Sequence, residues 1–80
     1  MAVDDKPAQQ LDLKGLKCPL PVLRANKALR AMAAGEVLEV TATDPASAKD
    51  FATYCQTAGH DLLARDERDG IYTFRIRKGR

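Results

Sequence analysis

The chain has 80 residues, 30% of them charged and 45% apolar, with a formal net charge of +2 at neutral pH. A chain of this length makes one domain and buries roughly 60–65% of the surface its unfolded form exposes, so one sheet and one layer of helices fit but a deep catalytic cleft does not. The small positive charge does not by itself argue for nucleic acid, and no apolar run approaches the ~18–20 residues that cross a bilayer. Residues 1–10 are polar, with Asp4, Asp5, Lys6 and Pro7, and lack the hydrophobic segment of a secretory signal. We read them as a flexible lead-in to a single domain over residues 11–80, and expect a cytoplasmic protein.

Leu11-Asp12-Leu13 alternates before Gly15 and predicts a brief strand and a loop. Val22, Ala25, Leu29, Met32 and Ala33 then recur at helical spacing, with Arg24, Lys27 and Arg30 off that stripe, so 22–34 predicts an amphipathic helix. Gly35 stands where a C-terminal cap belongs. Val37 to Thr41 reads as a strand rich in β-branched residues. Asp44-Pro45 predicts a second helix start, with Asp44 as N-cap and Pro45 at the first helical position. Ala48, Phe51, Ala52, Cys55 and Ala58 form its apolar stripe, and Gly59 ends it. Leu62-Leu63-Ala64 is a third strand, Arg68-Asp69-Gly70 a turn, and Ile71 to Arg77 an alternating fourth strand with Tyr72, Phe74 and Ile76 on one face. The order is β-α-β-α-β-β. An α/β two-layer sandwich follows: a four-stranded mixed sheet, its last two strands a hairpin, with both helices packed on one face.

The most informative residues are Cys18-Pro19-Leu20-Pro21. With Cys18 as N-cap, Pro19 at N1 and Pro21 at N3, both prolines fall where backbone N–H groups have no helical partner. The sulfur then stands at the positive end of the helix dipole and takes the Leu20 N–H as its capping bond. The dipole contributes about 0.3–1 kcal/mol, which lowers a thiol pKa by less than about a unit. No base adjoins the cysteine in sequence, so peptide hydrolysis does not fit. Passing sulfur between thiols does, because that step needs an exposed thiolate of near-ambient pKa and little else.

These residues carry a resemblance. Leu11 to Pro21, Thr43-Asp44-Pro45-Ala46, Gly59-His60-Asp61-Leu62 and Ile76-Arg77-Lys78-Gly79 are similar to the signature of the TusA/SirA-like sulfur carrier proteins, over nearly the whole chain after the lead-in. The resemblance implies a two-layer sandwich and a cytoplasmic carrier whose motif cysteine, here Cys18, accepts sulfane sulfur as a persulfide. It implies a cysteine desulfurase or rhodanese-like donor and an acceptor relay protein. The best-known destination is thiolation of the tRNA wobble uridine. Molybdenum cofactor synthesis and sulfur oxidation are alternatives. Related carriers used in tRNA thiolation often hold a basic residue at the position of Asn26, where this chain has Arg24 and Lys27 nearby instead.

Other candidates have plainer readings beside the sharper ones. Cys55 lies on an apolar stripe as a small buried hydrophobe; the sharper reading makes it a resolving thiol for Cys18. His60 is a cap or surface residue before it is a base. Asp44 caps a helix and, with Asp12, stands at the edge where helix one begins, where either carboxylate raises the thiol pKa. Arg24, Lys27 and Arg30 form a solvated face or dock an acidic partner. Arg75, Arg77, Lys78 and Arg80 suggest a basic stripe for RNA, without the exposed aromatics for base stacking. Two cysteines and one histidine are too scattered for a zinc site, so no metal and no cofactor are expected. The expectation is a carrier, monomeric when free, with Cys18 as the reacting residue and Pro19, Pro21, Arg24, Lys27 and Asp44 as partner-binding residues. It contacts neither membrane nor nucleic acid directly. A non-catalytic regulatory or RNA-interaction module is the alternative of a different class.

Overall fold

A computed structural model describes residues 7–79 of the chain. The first six residues of the expected lead-in, and Arg80 of the basic stripe, lie outside the described residues. The elements are β1 (Gln9–Leu13), α1 (Leu20–Arg30), β2 (Val37–Ala42), α2 (Ser47–Ala58), β3 (Asp61–Arg68) and β4 (Ile71–Arg77). The expected order and the two-layer architecture are both present. The sheet runs β1-β2-β4-β3. β1 and β2 are parallel, and β4 is antiparallel to both of its neighbours. β1, β2 and β3 therefore point the same way and follow one another in one direction across the sheet. Two crossovers of the same hand then place both helices on the same face.

Between that face and the helices lies the core: Leu13, Leu38, Val40, Phe74 and Ile76 from the sheet, Ala25, Leu29 and Met32 from α1 and its end, and Phe51 and Cys55 from α2. The rings of Phe51 and Phe74 stack across the two layers at 4.8 Å. β2 alternates between buried and half-buried residues, as a strand with one covered face must. On its other face Gln10 bonds Glu39 at 3.0 Å and the Arg75 guanidinium pairs with Glu39 at 3.2 Å, a polar row across three strands.

The element boundaries differ from the sequence reading for local reasons. β1 begins at Gln9, inside the expected lead-in, because pairing to β2 (Gln9 opposite Leu38) needs backbone groups rather than apolar side chains. α1 ends at Arg30, and Gly35 is not its cap. Ala31 is: its N–H donates to the Ala28 carbonyl, and the next N–H, of Met32, donates to the Leu29 carbonyl. Gly35, at φ +91°, turns the chain so that its N–H reaches the Lys78 carbonyl at 2.9 Å. β3 is longer than Leu62-Leu63-Ala64, because its polar residues pair with β4 as far as Arg68. A bulge between Leu62 and Ala64 turns Leu63 outward, 48% exposed. Gly59 does end α2, in the left-handed conformation at φ +81°.

Candidate functional site

Because β1 and β2 are parallel neighbours, the loops leaving their C-terminal ends meet at one edge of the sheet. Backbone N–H groups of the first loop are held by side chains of the second. Gly15 N donates to Thr43 Oγ1 at 2.9 Å, and Cys18 N donates to Asp44 Oδ2 at 2.6 Å. The other Asp44 oxygen, Oδ1, accepts the Ala46 N–H at 3.1 Å, and its carbonyl accepts the Ser47 N–H at 2.9 Å. One carboxylate thus shapes both loops at once.

This bonding corrects two expectations. Cys18 is not the N-cap of α1; Pro19 is. The Leu20 N–H that a capping sulfur was to accept goes to the Lys17 carbonyl at 2.8 Å, so Cys18 stands one residue outside the helix with its sulfur free of capping duty. The Cys18-Pro19 peptide bond is cis. Likewise α2 starts at Ser47 with Ala46 as N-cap, three residues after Asp44. Asp44 still does capping chemistry, one turn early, because the chain from Asp44 to Ser47 is already wound as a turn.

Cys18 is exposed. It opens onto a groove of about 520 Å³ between the starts of the two helices, lined by Cys18, Pro19 and Val22 on one side and Asp50, Thr53 and Tyr54 on the other. The expected lowering of the thiol pKa is reversed. Hydrogen bonding to the Asp50 carboxylate pushes the Cys18 thiol up first, then loss of solvent, then the negative charges of Asp50 and Asp44. A full carboxylate charge in contact outweighs the half charge of a helix end. Asp44 is itself held below the usual carboxylate range, chiefly by the N–H of Cys18. Asp12 acts elsewhere: its carboxylate accepts the Lys14 N–H at 3.1 Å and pairs with the Lys14 ammonium.

The other expected residues divide sharply. Pro19 and Asp44 stand with Cys18. Pro21 is buried in the first turn of α1. Arg24 and Lys27 lie on the opposite flank of α1, lining a hollow against Leu11 and Asp12 of β1. Between Pro19 and those cations α1 exposes Leu20 (43%) and Leu23 (55%). Asn26 faces the other way and accepts the Tyr54 hydroxyl at 2.8 Å. The basic stripe is internally engaged among the described residues: Arg75 with Glu39, Arg77 with Asp61 at 2.8 Å, and the Lys78 ammonium with the Arg30 and Met32 carbonyls. All four aromatic rings are buried or half-buried, so no stacking platform is presented. No group of metal-binding side chains occurs among the described residues.

The residue that sequence reasoning missed is Asp50. It sits off the apolar stripe of α2, next to Phe51, and reads as a solvated helix residue. The available signal was topological: two parallel strands bring both helix starts to one edge, so an acidic residue in the first turn of the second helix faces the loop before the first.

The site is a presented thiol at the meeting of two βα loops. The family model described as "Sulfurtransferase TusA" matches residues 9–78. This chain belongs to the TusA family. Its relatives include the sulfur carrier protein TusA of Allochromatium vinosum, 50% identical over 70 residues, or 88% of this chain and 92% of that one. A putative sulfur carrier protein of Neisseria meningitidis is 52% identical over 66 residues, 82% of this chain and 89% of the relative. The solved structure of a SirA-like protein from Desulfitobacterium hafniense superposes with a TM-score of 0.77 at 30% identity, covering 90% of this chain and 99% of that one. Membership of the TusA family makes the protein a sulfur carrier, and a carrier has a donor and an acceptor. No described helix is long and apolar enough to cross a membrane.

Proposed function

We propose that this TusA-family protein carries sulfane sulfur on Cys18 as a persulfide. The carrying observation is that Cys18 is exposed on a corner while the other cysteine, Cys55, is buried. In loading, the Cys18 thiolate attacks the outer sulfur of a donor persulfide, on a cysteine desulfurase or a rhodanese-like protein. The new bond forms at Cys18 Sγ as the donor S–S bond breaks. The donor leaves as a thiolate and takes up the proton that Cys18 lost. An acceptor cysteine then removes the sulfur in the same way. Pro19, Asp44, Arg24 and Lys27 surround the exposed leucines of α1, and with them make the face to which donor and acceptor dock in the cytoplasm.

Intact mass after incubation with a cysteine desulfurase and cysteine tests this reading. A gain of one sulfur, absent in Cys18→Ser, is the expected result, and no gain with any persulfide donor overturns it. Thiolation of the tRNA wobble uridine is the first destination to test, by assaying thiolated uridine in a strain lacking the protein. Delivery to molybdenum cofactor synthesis or sulfur oxidation is the second reading. It is favoured by Asn26, which is neutral and engaged by Tyr54 at the position where tRNA-thiolation carriers often hold a basic residue.

A further inference from the structure

The sulfur of Cys18 has a partner that its role as a presented thiol does not require. Asp50, on the facing helix, lines the same groove as Cys18, and its carboxylate is the group that most raises the Cys18 thiol pKa. Asp44 fixes the backbone of Cys18 from the neighbouring loop at 2.6 Å, so the sulfur is held toward α2. Lys49 of α2 also lines the groove, Asp44 adds its charge from behind the Cys18 N–H, Lys17 adjoins the cysteine in sequence, and Arg24 and Lys27 of α1 line a hollow against β1. Tyr54 directs its hydroxyl to Asn26. Asp50 is therefore the carboxylate that shares the groove with the sulfur itself. A persulfide extends the side chain by one S–S bond, about 2 Å. The groove beside Cys18, about 520 Å³, has ample room for that second sulfur next to the same carboxylate.

We propose that Asp50 is a catalytic residue of sulfur delivery, its carboxylate accepting the hydrogen of the sulfur on Cys18 and so keeping the outgoing outer sulfur protonated and electrophilic. This rests on the persulfide reading above. A protonated outer sulfur is open to attack by an acceptor thiolate, whereas an ionised one repels that thiolate and is itself a nucleophile. In delivery the acceptor thiolate attacks the outer sulfur of Cys18–S–SH. The acceptor S–S bond forms, the bond to Cys18 Sγ breaks, and the outer sulfur keeps its proton. Cys18 leaves as a thiolate and is reprotonated from water. Cys18 is reduced from persulfide to thiol and the acceptor is oxidised from thiol to persulfide, with no further oxidant. A neighbouring carboxylate disfavours the anion and bonds the neutral form. In loading, the same carboxylate leaves less thiolate but makes each thiolate a stronger nucleophile.

The test loads the protein with inorganic polysulfide, confirms the added sulfur by intact mass, and follows its loss to β-mercaptoethanol across the neutral range. The rising limb of the rate belongs to the small thiol and is common to all variants. The falling limb reports ionisation of the persulfide. In Asp50→Asn that fall is expected about one pH unit lower, with delivery at neutral pH several-fold slower. Alkylation of the loaded sulfur by iodoacetamide is then several-fold faster. Asp50→Glu, which restores the charge, is expected to restore the profile, and circular dichroism checks that both variants fold. Profiles of Asp50→Asn and the natural protein that coincide overturn the proposal. If the natural protein gains no sulfur at the loading step, the carrier reading itself fails and takes this role of Asp50 with it.

Discussion

Tyr54 on α2 donates its hydroxyl to Oδ1 of Asn26 on α1 at 2.8 Å, tying the two helices together beside the groove at Cys18. A half-buried neutral hydrogen bond of this kind is worth about 1 kcal/mol net. Tyr54→Phe is therefore expected to lower stability by about that amount in urea denaturation, with the m-value unchanged. Asn26→Arg removes the acceptor and has a similar expected cost of about 1 kcal/mol. Because the two changes break one bond, their combination should cost clearly less than their sum. Additive losses would show that the hydroxyl and the amide stabilise the protein independently.

Cys55 is buried on the inner face of α2, and burial pushes its thiol pKa up to about 11. At neutral pH about one molecule in 10⁴ then carries that thiolate. Iodoacetamide on the folded protein should label one thiol quickly, and the second only after denaturant is added. Cys18→Ser should remove the fast phase entirely. Mild oxidation should leave no bridge within the chain, since a disulfide would require Cys55 to leave the core. Two thiols lost together under mild oxidant would instead support a redox pair.

His60 accepts the Gly79 N–H at Nδ1, 3.0 Å away, a bond that only an unprotonated Nδ1 can take. Its pKa is held below the ordinary 6.5, first by loss of solvent and then by the nearby Lys78 ammonium, with Asp61 opposing. The unfolded chain thus binds the proton more readily than the folded one. The stability gained by keeping His60 neutral is fully present above about pH 6.5 and is lost as pH falls through the lower folded value. The melting temperature should fall through that window, and His60→Gln should flatten the fall. A natural protein whose melting temperature is constant between neutral and mildly acid pH would contradict this account.

The fold was legible where residues of one chemical kind repeat at a fixed period. Ala25 and Leu29 on α1, Met32 just past its end, Phe51 and Cys55 on α2, and Phe74 and Ile76 on β4 all stand in the core, as their spacing requires. What periodicity does not encode is pairing at a distance. Leu63 read as the centre of a strand and is turned out by a bulge, which depends on the register of β3 against β4. At the site, Cys18 and Pro19 announced a presented sulfur. Its electrostatics were read in part: Asp44 raises the thiol pKa as expected, but the helix end does not prevail, because it is a local feature and Asp50, the larger cause, arrives from the other helix. Arg24 and Lys27 looked like neighbours of the cysteine in sequence, yet a helical turn carries them to the far flank, beside β1.

The chain segment after β4 closes the lower end of both helices, and its glycine is sterically required. The Lys78 N–H reaches the Glu36 carbonyl at 2.8 Å, and its ammonium bonds the carbonyls of Arg30, the last residue of α1, and of Met32 just beyond it. One residue on, a Cβ built on Gly79 would lie 1.8 Å from the carbonyl oxygen of Gly59, the residue that caps α2. Neither atom is the end of a flexible side chain, so the segment must lift away. Gly79→Ala is expected to cost about 1–3 kcal/mol, the range for an inserted methyl that the surroundings cannot absorb. The displacement carries a second consequence. Once the segment lifts, His60 loses the Gly79 N–H and regains solvent, and Lys78 moves off with the segment. The His60 pKa should therefore rise toward its ordinary value in Gly79→Ala, which titration of the ring protons by NMR measures directly. A destabilised Gly79→Ala whose His60 titrates as in the natural protein would place the clash somewhere other than this junction.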